Sequence, residues 1–248
     1  MVIDGLAGTE RILHFIGPFY SFMIASGDIF AILVAVAIVI FLFRRLFLRI
    51  KRFEGIEMKK RSHLDANTAL TLILLLMISL LTMNTGYTGY GKSAGGEIYG
   101  AFPVSGIAAS LLNGMTIGNF RLMHDISWWT HILLIFVFAN YLPYSKHFHV
   151  FMSVPNVFLS RLQPLGKLIN MDNITREVKL MLNPDTAFNA APADVPVGRF
   201  GVRDAEDVSW KSYFDSLSCT ECGRCTSVCP ANITGKKLSP RKVMMDLR

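Results

Sequence analysis

The stretch FYSFMIASGDIFAILVAVAIVIFLF, residues 19–43, decides most of what this chain can fold into. About 20 apolar residues in a helix span the hydrocarbon core of a bilayer. A helix also satisfies its own backbone there, where no water can. Arg44, Arg45, Arg49, Lys51 and Arg52 follow at once. Basic residues collect on the cytoplasmic side of membrane segments, so the C-terminal end of this helix is expected inside.

Two further runs read the same way. LDANTALTLILLLMISLLTMNTG, residues 64–86, is entered from the basic side after Lys59, Lys60 and Arg61. ISWWTHILLIFVFANYLPYS, residues 126–145, is entered past Trp128 and Trp129, a pair suited to an outer interfacial belt, and leaves at Lys146. Three crossings put the N-terminus outside and the C-terminal region inside. Residues 101–119, AFPVSGIAASLLNGMTIGN, are apolar but rich in Gly, Ser and Asn. A fourth crossing there would carry the C-terminal region outside, so a helix packed at the outer surface or dipping partway in is expected instead. The opening MVIDGLAGTERILHF has no basic leader region, and the first apolar segment is read as a retained anchor.

Composition agrees with this: 52% of residues are hydrophobic and 17% charged. The net charge of +7 gathers beside the apolar runs, which suits loops facing anionic lipid and not nucleic acid. Past Lys146, FHVFMSVPNVFLSRLQPLGKLINM reads as interfacial. NPDTAFNAAPADVPVGRFGVRDAED reads as a linker, and VSWKSYFDSLS as a short helix. The chain thus divides into a membrane domain, 1–150, an interfacial segment and linker, 151–208, and a C-terminal module, 209–248.

That module holds all four cysteines: Cys219, Cys222, Cys225 and Cys229, as C-x2-C-x2-C-x3-C with Pro230 directly after. Such spacing favours a metal site in a reducing compartment over a disulfide framework. A cubane cluster needs thiolates within a few ångströms of one another. Two-residue gaps let one loop wrap it with backbone N–H groups turned towards the sulfurs. Gly223 is where the wrap would use a permissive backbone, and Cys229 with Pro230 is expected to open a helix. Zinc ribbons favour two separated pairs, so a 4Fe-4S cluster is the expected occupant. In two-cluster ferredoxins the fourth cysteine of each run serves the other cluster. Either Cys229 closes its own cluster, or a second run lies past Arg248; the latter is expected, which makes the module incomplete.

The histidines are His14, His63, His124, His131, His147 and His149. A low-spin haem between membrane helices takes an imidazole from each side. On one continuous helix, His131 and His149 are about five turns apart and share a face, about 27 Å along the axis. His147 falls about 160° away on such a helix, so helical phase prefers His149 as a ligand. His63 stands at the inner end of the second crossing, level with His149, and His63–His149 is the expected haem b pair. A second, outer haem would use His131 with His14. His124 is read as an interface residue. GYTGYGKS, residues 86–93, matches the phosphate-loop pattern G-x4-G-K-S, but that loop works between a strand and a helix. Here it follows a membrane helix and is expected to be an outer loop.

WWTHILLIFVFANYLPYSKHFH resembles the final helix of the membrane cytochrome b family, which includes the gamma subunit of respiratory nitrate reductase and the membrane subunit of heterodisulfide reductase. CTECGRCTSVCPANITGKKLSPRK resembles the first cluster motif of the heterodisulfide reductase iron–sulfur subunit and its relatives. Their fusion is similar to the electron-transfer-flavoprotein:menaquinone oxidoreductase type of membrane iron–sulfur protein. The resemblance covers residues 25–150 weakly and 197–248 strongly. It implies haem b, 4Fe-4S clusters and menaquinone. By position, Cys219, Cys222, Cys225 and Cys229 match the cluster ligands, His131 and His149 the histidines of the last helix, and His63 the inner ligand of the second. The family's other histidine on that second helix has no counterpart, since Ile73 and Met77 stand there.

The expectation is an all-α integral membrane bundle of about three crossings plus an outer helix, followed by a cytoplasmic ferredoxin-like 4Fe-4S module in the inner membrane. It would pass electrons between the (mena)quinone pool and a cytoplasmic redox partner, an electron transfer flavoprotein or a cysteine-rich iron–sulfur subunit. Such a protein is a quinone-linked oxidoreductase or a subunit of one; the alternative is a non-catalytic anchor and electron wire. Asp65, Lys146 and His147 are the polar groups expected beside a quinone. Lys236, Lys237, Arg241 and Lys242 would form a basic face for an acidic partner.

Overall fold

The computed structural model describes residues 2–8, 11–48, 50–55, 57–164, 167, 170, 172–183 and 201–248. Among these there is helix and no strand. By contact the chain forms two compact units, Met1–Phe148 with Cys222–Leu238, and His149–Glu221 with Ser239–Arg248.

In the first unit, α1 is Val2–Ala7, α2 Pro18–Leu46, α3 Lys60–Ala94, α4 Pro103–Leu111 and α5 Ile117–Tyr141. Three segments are long and apolar enough to cross a membrane: α2, α3, and α5 with the 3-10 turn that follows it. All three expected crossings are therefore present as helices. The segment 101–119 does not form a fourth, because α4 has only nine residues.

α3 is the central helix and packs against α5, α2 and α4. It buries small residues: Ala66, Ala69, Ser79, Gly86, Thr88 and Gly89. α2 buries Ala31 and Ala35 and turns Phe22, Phe30, Val36 and Phe43 outwards. This distribution suits a bilayer, where apolar side chains can face lipid and small residues let backbones approach.

The structure extends α3 to Ala94, so GYTGYGKS is its last two turns and not an outer loop. Its glycines serve close approach. A Cβ on Gly86 would lie 2.8 Å from the backbone nitrogen of His124, and one on Gly89 2.3 Å from the Phe120 ring. The helix stops at Gly95, which is left-handed at φ 66°, the usual C-terminal glycine cap.

α5 begins nine residues before the expected crossing, with the Thr116 hydroxyl accepting from the Asn119 N–H. Its end is also different. α-Helix gives way after Tyr141 to 3-10 turns at Leu142–Tyr144 and Lys146–Phe148, separated by an extended Ser145. Pro143 has no N–H to continue the helical ladder. His131 and His149 are consequently not on one continuous helix, and counting turns between them no longer ranks His149 above His147. His131 is mid-helix, opposite Leu76 and Ser79 of α3, not near an outer end.

In the second unit, α6 is His149–Phe158, α7 Asp172–Leu182, α8 Trp210–Leu217 and α11 Pro240–Leu247. α8 is the expected short helix, capped by Ser209, whose hydroxyl accepts from the Ser212 N–H. It packs against α6 and α11. Lys211 Nζ donates to Asn156 Oδ1 at 2.6 Å and pairs with Asp215. α6 exposes Val150, Phe151, Val154, Val157 and Phe158, in keeping with its interfacial reading. Most of the expected linker, 184–200, lies outside the described residues.

Candidate functional site

The cysteine run begins at the C-terminus of α8, where the Cys219 N–H donates to the Ser216 carbonyl. Two left-handed residues follow: Glu221 at φ 58° and Gly223 at φ 74°. Gly223 is the permissive position expected; Glu221 carries a side chain in the same region, which is uncommon. The Glu221 turn aims its N–H at Cys219 Sγ, 3.4 Å away. Backbone N–H groups pointed at thiolate sulfurs are what an iron–sulfur loop uses to hold and tune its cluster. Glu221 is 5% exposed and its carboxylate pairs with Arg248, whose guanidinium also donates to the Cys219 carbonyl at 3.2 Å.

Gly223 opens α9, Arg224–Ser227, and Cys229 opens α10, Pro230–Ile233, with Pro230 at its first position as expected. None of the four cysteines is in a disulfide. Among the described residues no three His, Cys, Asp or Glu side chains are gathered as a metal-ligand set. The donor chemistry, the spacing and the two left-handed turns nevertheless fit a 4Fe-4S cluster. Residues 210–231 match the 4Fe-4S binding domain family, a span holding all four cysteines.

α9, which carries Cys225, packs against the 3-10 turn Lys51–Phe53 at the basic end of the membrane helices. Phe53 also lines a cavity of about 340 Å³, together with Arg45, Glu54, Met58, His63 and Asn67. That size lies within the range of small-molecule sites, about 300–1,000 Å³. Arg45 Nε donates to Asn67 Oδ1 at 3.0 Å and its guanidinium lies over Phe53.

Near this end of the helices, the groups expected beside a quinone are tied into a lock. Tyr141 donates its hydroxyl to Asp65. The Lys146 N–H donates to Asp65 Oδ2 at 3.0 Å, while its Nζ donates to the Ser62 carbonyl and hydroxyl at 2.9 and 2.8 Å. The lock ties the turn after α5 back to the start of α3. His147 lies edge-on to Phe138 instead.

The other candidate ligands occupy different settings. His131 is buried, and its Nδ1 is 2.8 Å from Ser79 Oγ and 3.1 Å from the Leu76 carbonyl. A metal-binding imidazole is commonly oriented through its second nitrogen in this manner. His14 is exposed, in the 3-10 turn Ile12–Ile16, and stacks on Tyr99 at 4.5 Å. His149 opens α6 in the second unit. The basic face is smaller than expected, because Arg241 is 2% exposed and Lys242 pairs with Asp246; Lys236 and Lys237 are exposed.

Two residues stand out that sequence reasoning passed over. Asp28, 1% exposed, accepts the Val104 and Ser105 N–H groups at 2.8 and 2.9 Å and so caps α4 across the fold. His124, expected only as an interface residue, lines a second cavity. An aspartate inside a 25-residue apolar run was the available signal, since such residues are costly in a membrane.

The chain is 30% identical over its whole length to the probable iron-sulfur-binding oxidoreductase FadF of Bacillus subtilis, of which it covers 31%. It is 26% identical, over 96% of its length, to the EtfAB:quinone oxidoreductase of Syntrophomonas wolfei, covering 30% of that protein. A probable membrane-anchored ferredoxin of Chromohalobacter salexigens is 36% identical over 61 residues, 25% of this chain and 9% of that one. The chain spans about a third of the length of the first two relatives. No solved structure matches it.

Proposed function

We propose that this chain carries electrons between a soluble redox partner and a membrane quinone. The route is a 4Fe-4S cluster on Cys219, Cys222, Cys225 and Cys229 and a haem b held by His63 with His149. Its orientation puts the cysteine run and the basic loop 44–61 on the cytoplasmic side. Menaquinone as the quinone belongs to the same reading; a second haem on His131 would need a ligand other than His14, which stacks on Tyr99 past the end of α3 while His131 faces Ser79, about 22 Å back along that helix. Lys236 and Lys237 offer positive charge to an acidic partner, such as an electron transfer flavoprotein or a cysteine-rich iron–sulfur subunit.

One observation carries it: the cysteine-bearing α9 rests on the turn whose Phe53 lines the His63 cavity. A one-electron carrier beside a membrane cavity suits stepwise delivery of the two electrons a quinone takes. The likeness to the Syntrophomonas EtfAB:quinone oxidoreductase supports the same substrate.

A second reading, a non-catalytic anchor and electron wire, is favoured by the Asp65–Tyr141–Lys146 lock, which commits those polar groups to structure. Reduced-minus-oxidised visible spectra of the purified chain, with iron and haem quantified, test both. A b-type band that shifts with a quinol analogue is expected. No band would sink the haem, and a band without a shift would favour the wire.

A further inference from the structure

The second cavity, of about 240 Å³, lies between α2, α3 and α5, near the end of α3 remote from the basic loop. Asn84 on its wall is 21 residues beyond His63, about 31 Å along α3. Its polar lining includes Asp4, whose charge is felt by Arg11, with Arg11 itself, Tyr20, Asn84 and His124; Met23, Leu80 and Trp128 contribute apolar surface.

Three observations point to an occupant. Arg11 Nε is a buried donor with no hydrogen-bond partner among the described residues. Arg11 itself is held in the left-handed region, at φ 58° and ψ 43°, with its guanidinium 3.6 Å over the Tyr87 ring. A left-handed backbone at a residue other than glycine persists where the surroundings impose it, often at ligand clamps. His124 is 8% exposed and its Nδ1 lies 3.2 Å from Asp125 Oδ1, which orients the ring. Asp28, also on the wall, is already used in capping α4.

A pocket that sets the donors Arg11 and His124 beside apolar walls suits a flat ring bearing carbonyl acceptors. The volume lies just below the usual range of ligand sites, about 300–1,000 Å³, which fits a one- or two-ring headgroup and excludes a porphyrin. Met23, on the wall and 46% exposed, marks an opening on the outward side of α2. An isoprenoid tail could leave there into lipid.

We infer that this cavity binds the quinone headgroup, with Arg11 and His124 hydrogen-bonding its carbonyl oxygens. The inference rests on the quinone reading above. It separates the quinone site from the cysteine run by the length of the membrane helices, leaving His131, mid-way along α5, between them.

Gly27 supplies the test, because it lines the cavity and a Cβ built there meets nothing within 4 Å. A photoreactive azido-naphthoquinone is titrated onto the full chain in lipid nanodiscs, and labelled peptides are mapped. Label is expected on α2, α3 and α5 around Met23, Asn84 and His124. Gly27→Leu should abolish it by filling the space, Gly27→Ala should retain it, and His124→Ala should weaken binding about tenfold, the scale of one lost hydrogen bond. Label elsewhere, or labelling indifferent to Gly27→Leu, overturns this site while leaving the quinone reading standing. No saturable label on the unaltered chain, with no quinone-dependent reoxidation of its reduced chromophores, overturns both.

Discussion

Ser79 Oγ of α3 and His131 Nδ1 of α5 lie 2.8 Å apart, a buried polar contact between the two most extensively packed membrane helices. The Leu76 carbonyl accepts from the same imidazole nitrogen at 3.1 Å. Removing the hydroxyl therefore leaves the ring one partner. Ser79→Ala should cost about 1 kcal/mol, and His131→Leu no more than that, because the Ser79 hydroxyl already donates to the Leu76 carbonyl at 2.9 Å and neither group is left unsatisfied. Thermal unfolding in detergent reads both. If His131 also binds haem, only His131→Leu removes absorbance.

Gly86 faces backbone, which cannot swing aside: a Cβ there meets the His124 nitrogen at 2.8 Å and the Phe120 carbonyl at 2.9 Å. Gly86→Ala should force α3 and α5 apart at a cost of about 1–3 kcal/mol. Gly27→Ala, with open space around its Cβ, should be neutral or slightly stabilising. Equal melting temperatures for the two variants would contradict the packing.

Gly223 is left-handed at φ 74°, so Gly223→Ala strains the cysteine loop by about 1–2 kcal/mol. Iron incorporated per chain should fall, and Gly223→Asn, which tolerates this region, should recover part of it. Cys222→Ala or Cys225→Ala should eliminate the cluster's visible absorption. Full iron content in Cys225→Ala would remove it from the ligand set.

For haem, His63→Ala should abolish the inner b-type band, and His149→Ala should do the same. With α5 ending at Tyr141, only the experiment ranks His149 against His147. Loss of the band in His147→Ala, with retention in His149→Ala, would exchange their roles.

Asp65 holds both the Tyr141 hydroxyl and the Lys146 N–H. Asp65→Ala should loosen the turn after α5 and lower stability by about 1–3 kcal/mol, the cost of leaving buried partners unsatisfied. Asp65→Asn keeps one acceptor and should cost less. Limited proteolysis around residues 142–148 would report the loosening directly.

Much of this was legible because it depends on local pattern. Three apolar runs had to become helices, since lipid tolerates only helices and closed barrels, and barrel strands are short and alternate where these runs are long and continuous. Gly223 and Pro230 had to shape the cysteine loop, since one permits a left-handed turn and the other suits a helix start. Where the chain misled, the reason was equally physical. GYTGYGKS looked like an outer loop because it follows the apolar run, yet α5 presses close enough on Gly86 and Gly89 that only glycine fits. Arg241 looked solvated because arginine usually is, yet it is buried in the second unit.

The sequence by itself determined that this chain builds membrane helices and a cysteine loop suited to iron and sulfur, because hydrophobic length and thiol spacing act over a few turns of chain. Tertiary structure alone decided where α5 ends, that Asp28 caps α4 from 76 residues away, and that Arg11 and His124 share a cavity. Those outcomes depend on which helices touch and at what depth. Contacts between residues distant in the chain leave no periodicity to read.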